Sequence, residues 1–159
     1  MDQSNATGAL QTRQVVFSSD GPKQPSSDRQ RRGILVVDDE PAIRDILQRY
    51  LQCQGFHVWT AANGKEALDY YCDHSDEIAV ILLDVRMPGL DGPHTLDGIR
   101  KLDADIPVCF MTGDAGDYEA ADLLKKGARH LFGKTFSLDE IVSVVCDLVR
   151  QPIRLPQGN

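Results

Sequence analysis

Four short apolar runs, each closed by a polar side chain, constrain this chain more than any other feature. Ile34-Leu35-Val36-Val37 ends in Asp38-Asp39, Ala79–Leu83 ends in Asp84, Ile106–Met111 ends in Thr112, and the weaker Ala128–Gly133 ends in Lys134. Runs this short and this uniformly apolar read as strands buried on both faces. Phe56–Thr60 is a fifth strand candidate. Helical patterns fill the gaps. After Pro41, which suits a first helical turn, Ile43, Ile46, Leu47, Tyr50 and Leu51 form one apolar stripe, and Gly55 marks its stop. Asn63-Gly-Lys-Glu66 and Ser137-Leu-Asp-Glu140 match a capping box and open helices near 64–74 and 138–150. Leu96, Ile99 and Leu102 mark a third helix; Tyr118, Ala121 and Leu124 mark a fourth. Strict strand–helix alternation predicts an α/β fold, a parallel sheet with helices on both faces.

That prediction places Asp38, Asp39, Asp84, Thr112 and Lys134 along one rim. The carboxyl ends of parallel strands share an edge, which is where open α/β sheets bind ligands. One Asp after one strand is usually a turn or cap residue, and a Thr or Lys there is unremarkable. Polar residues of these types at four strand ends together are another matter. Three carboxylates in one place repel one another and call for a hard cation such as Mg²⁺. One of them can also attack phosphorus to form an acyl phosphate, while the metal, the Lys134 ammonium and the Thr112 hydroxyl meet the charge on the transferred oxygens.

Charge and composition remove several other classes. The 159-residue chain carries a net −7; five basic against three acidic side chains in residues 1–32 leave the remainder at −9. A folded part that acidic does not fit a nucleic-acid footprint. No apolar run reaches the ~18–20 residues of a membrane span, and the N-terminus lacks the pattern of a secretory signal. Cys53, Cys72, Cys109 and Cys146 are scattered, with no C-x-x-C pair, so all four are expected to be reduced packing residues in a cytoplasmic protein. Residues 1–32, rich in Gln, Ser, Asp, Gly and Pro, are expected to be a flexible tail, and 151–159 a second one.

The motifs in order, Val36-Val37-Asp38-Asp39-Glu40, Leu82-Leu83-Asp84-Val85-Arg86-Met87-Pro88-Gly89-Leu90-Asp91-Gly92, Met111-Thr112-Gly113 and Lys134, resemble the receiver domain of two-component response regulators. The resemblance covers roughly 33–150 and implies a flavodoxin-like, doubly wound five-stranded sheet of order 2-1-3-4-5 with five helices. It implies Asp84 as phosphoacceptor, with Mg²⁺ held by Asp39, Asp84 and the main-chain carbonyl of Arg86, and by Asp38 largely through water. Thr112 and Lys134 would contact the phosphoryl group. A sensor histidine kinase or phosphotransfer protein would supply that group from phosphohistidine. The output would be contact with a downstream protein target, and dimerisation through the fourth and fifth helices is common in the family. The resemblance implies a regulatory phosphoacceptor domain, not an enzyme, that promotes its own phosphorylation and dephosphorylation.

Departures from the family pattern set further expectations. Thr135 stands where proline usually follows the lysine, and Leu131 where an aromatic switch residue is typical, so output coupling must use another element. Arg86 and Asp114 occupy positions flanking the hydrolytic water and are expected to pair and slow loss of the phosphoryl group. Only nine residues follow the fifth helix, which suits a single-domain regulator or a receiver cut from a longer chain. A degenerate receiver, folded but never phosphorylated, is the alternative reading. A phosphatase of the haloacid-dehalogenase type would want Asp two residues beyond the nucleophile, and Arg86 stands there.

Overall fold

A computed structural model describes residues 32–113 and 118–151. Five strands alternate with five helices: β1 (Gly33–Val37), α1 (Pro41–Cys53), β2 (His57–Ala61), α2 (Gly64–His74), β3 (Ile78–Asp84), α3 (Gly92–Leu102), β4 (Val108–Thr112), α4 (Ala120–Lys125), β5 (His130–Gly133) and α5 (Leu138–Arg150). All neighbouring strands are parallel, in the order β2-β1-β3-β4-β5. The expected topology is therefore the observed one.

Successive strand residues point to opposite faces, and this divides the core in two. Leu35, Val37, Ile81, Leu83 and Phe110 meet Ala67 and Tyr71 of α2, Leu96 and Ile99 of α3 and Leu123 of α4. Ile34, Val36, Leu82, Cys109, Met111 and Phe132 meet Leu47 and Leu51 of α1 and Ile141 and Val145 of α5. Both clusters are almost fully buried. Because β1 and β3 are covered on both faces, they can be apolar throughout, which is what made them visible in the sequence.

Helix starts follow the predicted chemistry. Asn63 Oδ1 accepts from Glu66 N (2.9 Å) and Ser137 Oγ accepts from Glu140 N (3.1 Å), satisfying amide groups with no intrahelical partner. The return bond of the first box runs from Ala62 N to Glu66 Oε2 (2.7 Å), one residue earlier than in the standard motif. Asp91 caps α3 in the same way, accepting from His94 N at 3.0 Å.

Some side chains sit elsewhere than periodicity suggested. Ile46, Leu102 and Leu124 are about half exposed, at 50%, 53% and 46%; the stripe of α1 that packs is centred on Leu47 and Leu51. In α4, only six residues long, Leu123 is the buried one. Tyr118 precedes α4 and donates from its hydroxyl to Asp91 Oδ2 at 2.8 Å. Cys53 and Cys72 are exposed, so the packing role predicted for all four cysteines holds for buried Cys109 and in part for Cys146. Apart from Arg32 and Gln151, the two predicted tails lie outside the described residues.

The loop from β3 into α3 is shaped by two glycines. Gly89 has φ +79°, a region that side chains with a Cβ resist. Gly92 donates to Val85 O at 3.0 Å, and a Cβ on it would lie 2.3 Å from Asp84 O and 2.9 Å from Val85 Cα. Both obstacles are backbone, so α3 can sit this close to the end of β3 only with glycine there. Gly92→Ala should therefore lower stability by about 1–3 kcal/mol and Gly89→Ala by about 1–2 kcal/mol. Urea unfolding midpoints check both; a wild-type midpoint for Gly92→Ala would mean that the loop yields freely.

Candidate functional site

Parallel register brings the predicted residues to one rim. Asp84 closes β3 opposite Met111 of β4, and Thr112 follows one residue on. Asp38 follows β1 and continues its pairing with β2, donating from its amide to Ala61 O at 3.1 Å. Lys134 follows β5 and donates from its amide to Thr112 O at 2.6 Å. An open cleft is lined by Asp39, Glu40, Asp84, Arg86, Gly113 and Lys134.

Asp38 and Asp84 are buried, at 0% and 3% exposure, whereas Asp39 reaches solvent. One oxygen from each of Asp38, Asp39 and Asp84 lies within 4.8 Å of the other two. Asp38 is held from several sides. Its Oδ1 accepts from Glu40 N at 2.9 Å, and its main-chain oxygen accepts from Arg44 Nη1 at 2.6 Å. Among the described residues, Asp84 Oδ1 receives a long bond from Arg86 N, 3.4 Å. The Lys134 ammonium lies 3.4 Å from Asp84 Oδ2, 3.4 Å from Asp38 Oδ2 and 2.9 Å from Glu40 Oε1.

The energetic state of these groups follows from burial and like charge. Burial raises Asp84 to about 6; the neighbouring charge of Asp38 adds to this, and Lys134 opposes it. Burial also raises Asp38, against the Glu40 amide and Lys134. For Lys134, burial works against the charged form. The hydrogen bond to Glu40, then the charges of Asp84 and Asp38, outweigh it and hold the ammonium above its ordinary value.

Among the described residues, the buried side-chain polar atoms with no hydrogen-bond partner are Asp38 Oδ2 and Thr112 Oγ1. Asp38 Oδ2 is within ion-pair reach of Lys134 but not aligned for a hydrogen bond. Buried polar atoms are normally satisfied, and here both exceptions lie at the same strand ends. One is a carboxylate oxygen seeking positive charge; the other is a hydroxyl that can donate. Together with an all-oxygen donor set, they fit a hard divalent cation beside an oxyanion.

Glu40 stands in the first motif, directly after Asp38-Asp39, but the sequence alone assigns it no role. The available signal was a long acidic side chain next to the acidic pair and just before Pro41. The Lys134–Thr135 peptide is trans, since the described residues contain no cis bond, and Lys134 still reaches the site. Asp114, the expected partner of Arg86, lies outside the described residues. No helix among the described residues is long and apolar enough to cross a membrane.

Comparison with known proteins agrees with this geometry. The family described as response regulator receiver domain matches residues 34–146. A probable transcriptional regulator, ycf27 of Cyanidium caldarium, is 38% identical over 124 residues, covering 78% of this chain and 49% of that protein. Transcriptional regulatory protein PrrA of Mycobacterium bovis is 36% identical over 118 residues, covering 74% of this chain and 50% of PrrA. The chain thus spans about half the length of these curated relatives. The structure of response regulator TrrA from Thermotoga maritima, solved in complex with Mg(2+)-BeF, superposes with a TM-score of 0.65 at 36% identity, covering 74% of this chain and 98% of TrrA. Motif order, sheet order and rim geometry converge with these matches: the chain belongs to the response regulator receiver domains, the phosphoacceptor modules of two-component signalling.

Proposed function

We propose that this chain accepts a phosphoryl group on a carboxylate oxygen of Asp84, drawn from a phosphohistidine on a sensor histidine kinase or phosphotransfer protein. The observation that carries this reading is the pair of buried unsatisfied atoms, Asp38 Oδ2 and Thr112 Oγ1, at the strand ends that also bear Asp84. In the transfer, an Asp84 oxygen forms a bond to phosphorus as the bond from phosphorus to the donor imidazole nitrogen breaks, and that nitrogen keeps the electron pair. Loss of the group is attack of water on phosphorus, releasing inorganic phosphate and restoring the carboxylate. The chain promotes both steps by placement and charge. Lys134 offers N–H donors to the phosphoryl oxygens and Thr112 offers its hydroxyl.

Asp38, Asp39, Asp84 and the main-chain carbonyl of Arg86 are the residues that would hold Mg²⁺. When bound, the ion supplies neutralising charge to the transferred oxygens. The TrrA structure with Mg(2+)-BeF supports this reading for a related chain. The domain itself spans roughly 33–150, and its output is contact with a protein target, with self-association as a further form of it. A cytoplasmic setting suits four unpaired cysteines.

Two outcomes test the reading. Incubation with a small phosphodonor such as acetyl phosphate should give a Mg²⁺-dependent phosphoryl adduct by intact-protein mass spectrometry, absent from Asp84→Asn. A folded wild-type chain that gives no adduct beside a labelled control receiver would favour the degenerate alternative. The second outcome concerns pH without metal. Asp84 is raised to about 6 in the folded protein from an ordinary 3.8, so between those values the folded state keeps a proton that the unfolded chain releases. Stability from this group is therefore lost as pH rises through about 6. The full difference is worth at most about 3 kcal/mol, and screening in an open cleft reduces it to roughly 1–2 kcal/mol. Metal-free Asp84→Asn should be more stable than wild type by that amount at pH 7.5 and equal to it near pH 4. Equal stabilities at both pH values in urea unfolding would refute the charge frustration assigned to Asp84.

A further inference from the structure

The Lys134 ammonium is not shared evenly among the carboxylates around it. Its shortest contact, 2.9 Å, is to Glu40 Oε1; those to Asp38 and Asp84 are 3.4 Å. The shorter one has the length of a charge-assisted hydrogen bond. It joins residues 94 positions apart in the chain, so it is not an accident of local spacing.

Glu40 occupies the N-cap of α1, where a side-chain oxygen ordinarily accepts from the first free helical amides. Its side chain makes no such bond. The carboxylate turns across the cleft to Lys134 instead, leaving the helix start to Pro41 and to the Glu40 main chain, whose oxygen accepts from Arg44 N at 3.2 Å. Nor does Glu40 belong to the acidic cluster formed by Asp38, Asp39 and Asp84. Its contact is with the cation, at the mouth of the site. Glu40 is 59% exposed, whereas the Lys134 side chain is 19% exposed, so the pair stands at the boundary between solvent and the buried carboxylates.

We propose that Glu40 is a positioning residue that competes with an incoming phosphoryl group for the Lys134 ammonium, and so sets how readily Asp84 is modified. This rests on the reading of Asp84 as the phosphoacceptor. In the resting site, Glu40 holds Lys134 at the outer edge. When a phosphoryl group bonds to Asp84, the ammonium exchanges the Glu40 oxygen for a phosphoryl oxygen, and the Glu40 carboxylate is left beside the added negative charge. The cost of that exchange falls on the phosphorylated state, so Glu40 weakens it.

Beryllofluoride binding in the presence of Mg²⁺, measured by titration calorimetry, reads this competition without any covalent chemistry. Two variants separate contact from charge. Glu40→Gln removes the charge and keeps the length. Glu40→Asp keeps the charge and loses one methylene, too short to keep the present contact. Competition predicts that both bind beryllofluoride more tightly than wild type, by about two- to five-fold for a partly exposed pair. Initial phosphorylation by acetyl phosphate should rise in step. Thermal melts of the exposed-site variants confirm that each is folded. The Asp variant decides: a wild-type affinity for Glu40→Asp overturns the proposal, because charge at the cleft mouth would then act without the contact. Wild-type protein that binds no beryllofluoride overturns the Asp84 reading itself, and the role of Glu40 with it.

Discussion

One ammonium faces more carboxylates than it can neutralise, and the rest of the site is arranged around that imbalance. Lys134 meets Asp38, Asp84 and Glu40 within 3.4 Å, with Asp39 beside them. In water such a cluster would spread apart. Here two of its members are fixed at the ends of buried strands and cannot move, so burial first, and like charge second, raise the proton affinity of Asp84 and Asp38. A cation or a proton relieves the imbalance. The same excess of negative charge that makes the metal-free site unfavourable gives a divalent ion something to bind.

Holding the imbalance in place requires a rigid frame, and the two-sided core provides one. β1 and β3 lie at the centre of the sheet, packed above by α2, α3 and α4 and below by α1 and α5. Asp38 and Asp84 leave those two strands side by side. The loop beyond Asp84 is fixed by the close approach at Gly92. Arg100 of α3 extends the frame by donating to Ile106 O (2.8 Å) and Gly127 O (3.1 Å), which ties together the loops that precede β4 and β5. Lys134 is anchored in turn through its own amide on Thr112 O. Its backbone is constrained while its ammonium, on a flexible four-carbon stem, remains free to choose among acceptors.

The sheet and most of the rim could be read from the sequence because both depend on strong local signals. A strand buried on both faces is apolar throughout, and the residue that ends it is conspicuous when polar. That suffices for Asp38, Asp84, Thr112 and Lys134. Half-buried helices carry weaker information. Ile46 and Leu124 match a helical period as well as Leu47 and Leu123 do, and only packing against the sheet decides which of them is covered. Cys53 and Cys72 misled for the same reason, being apolar-looking positions on the outer sides of α1 and α2. Glu40 was hidden more deeply. Nothing local distinguishes a solvated N-cap glutamate from one that spans a cleft to a lysine 94 residues away, since the contact exists only after β1 and β5 have taken their places in the sheet.

The placement of Leu131 and Tyr118 bears on how a change at Asp84 is passed on. Leu131 is partly buried against the α2–α4 face of the core, so it has neither a ring to rotate nor a polar tip to exchange between solvent and interior. Tyr118 has both. It packs against the same cluster while its hydroxyl bonds Asp91, the cap of α3. Asp91 is held below its ordinary carboxylate range: the amide and ring of His94 and the Tyr118 hydroxyl together outweigh the opposing effect of its partial burial. Thr112 is tied to the rim through Lys134 N, and Tyr118 to the loop beyond Asp84 through Asp91. A shift in population between two states requires contacts that differ between them. In this fold, the buried atoms of the described residues that still lack a hydrogen-bond partner, Thr112 Oγ1 and Asp38 Oδ2, stand at the rim that also carries the Lys134 ammonium and the Asp84 carboxylate, so a group bound there has contacts to gain.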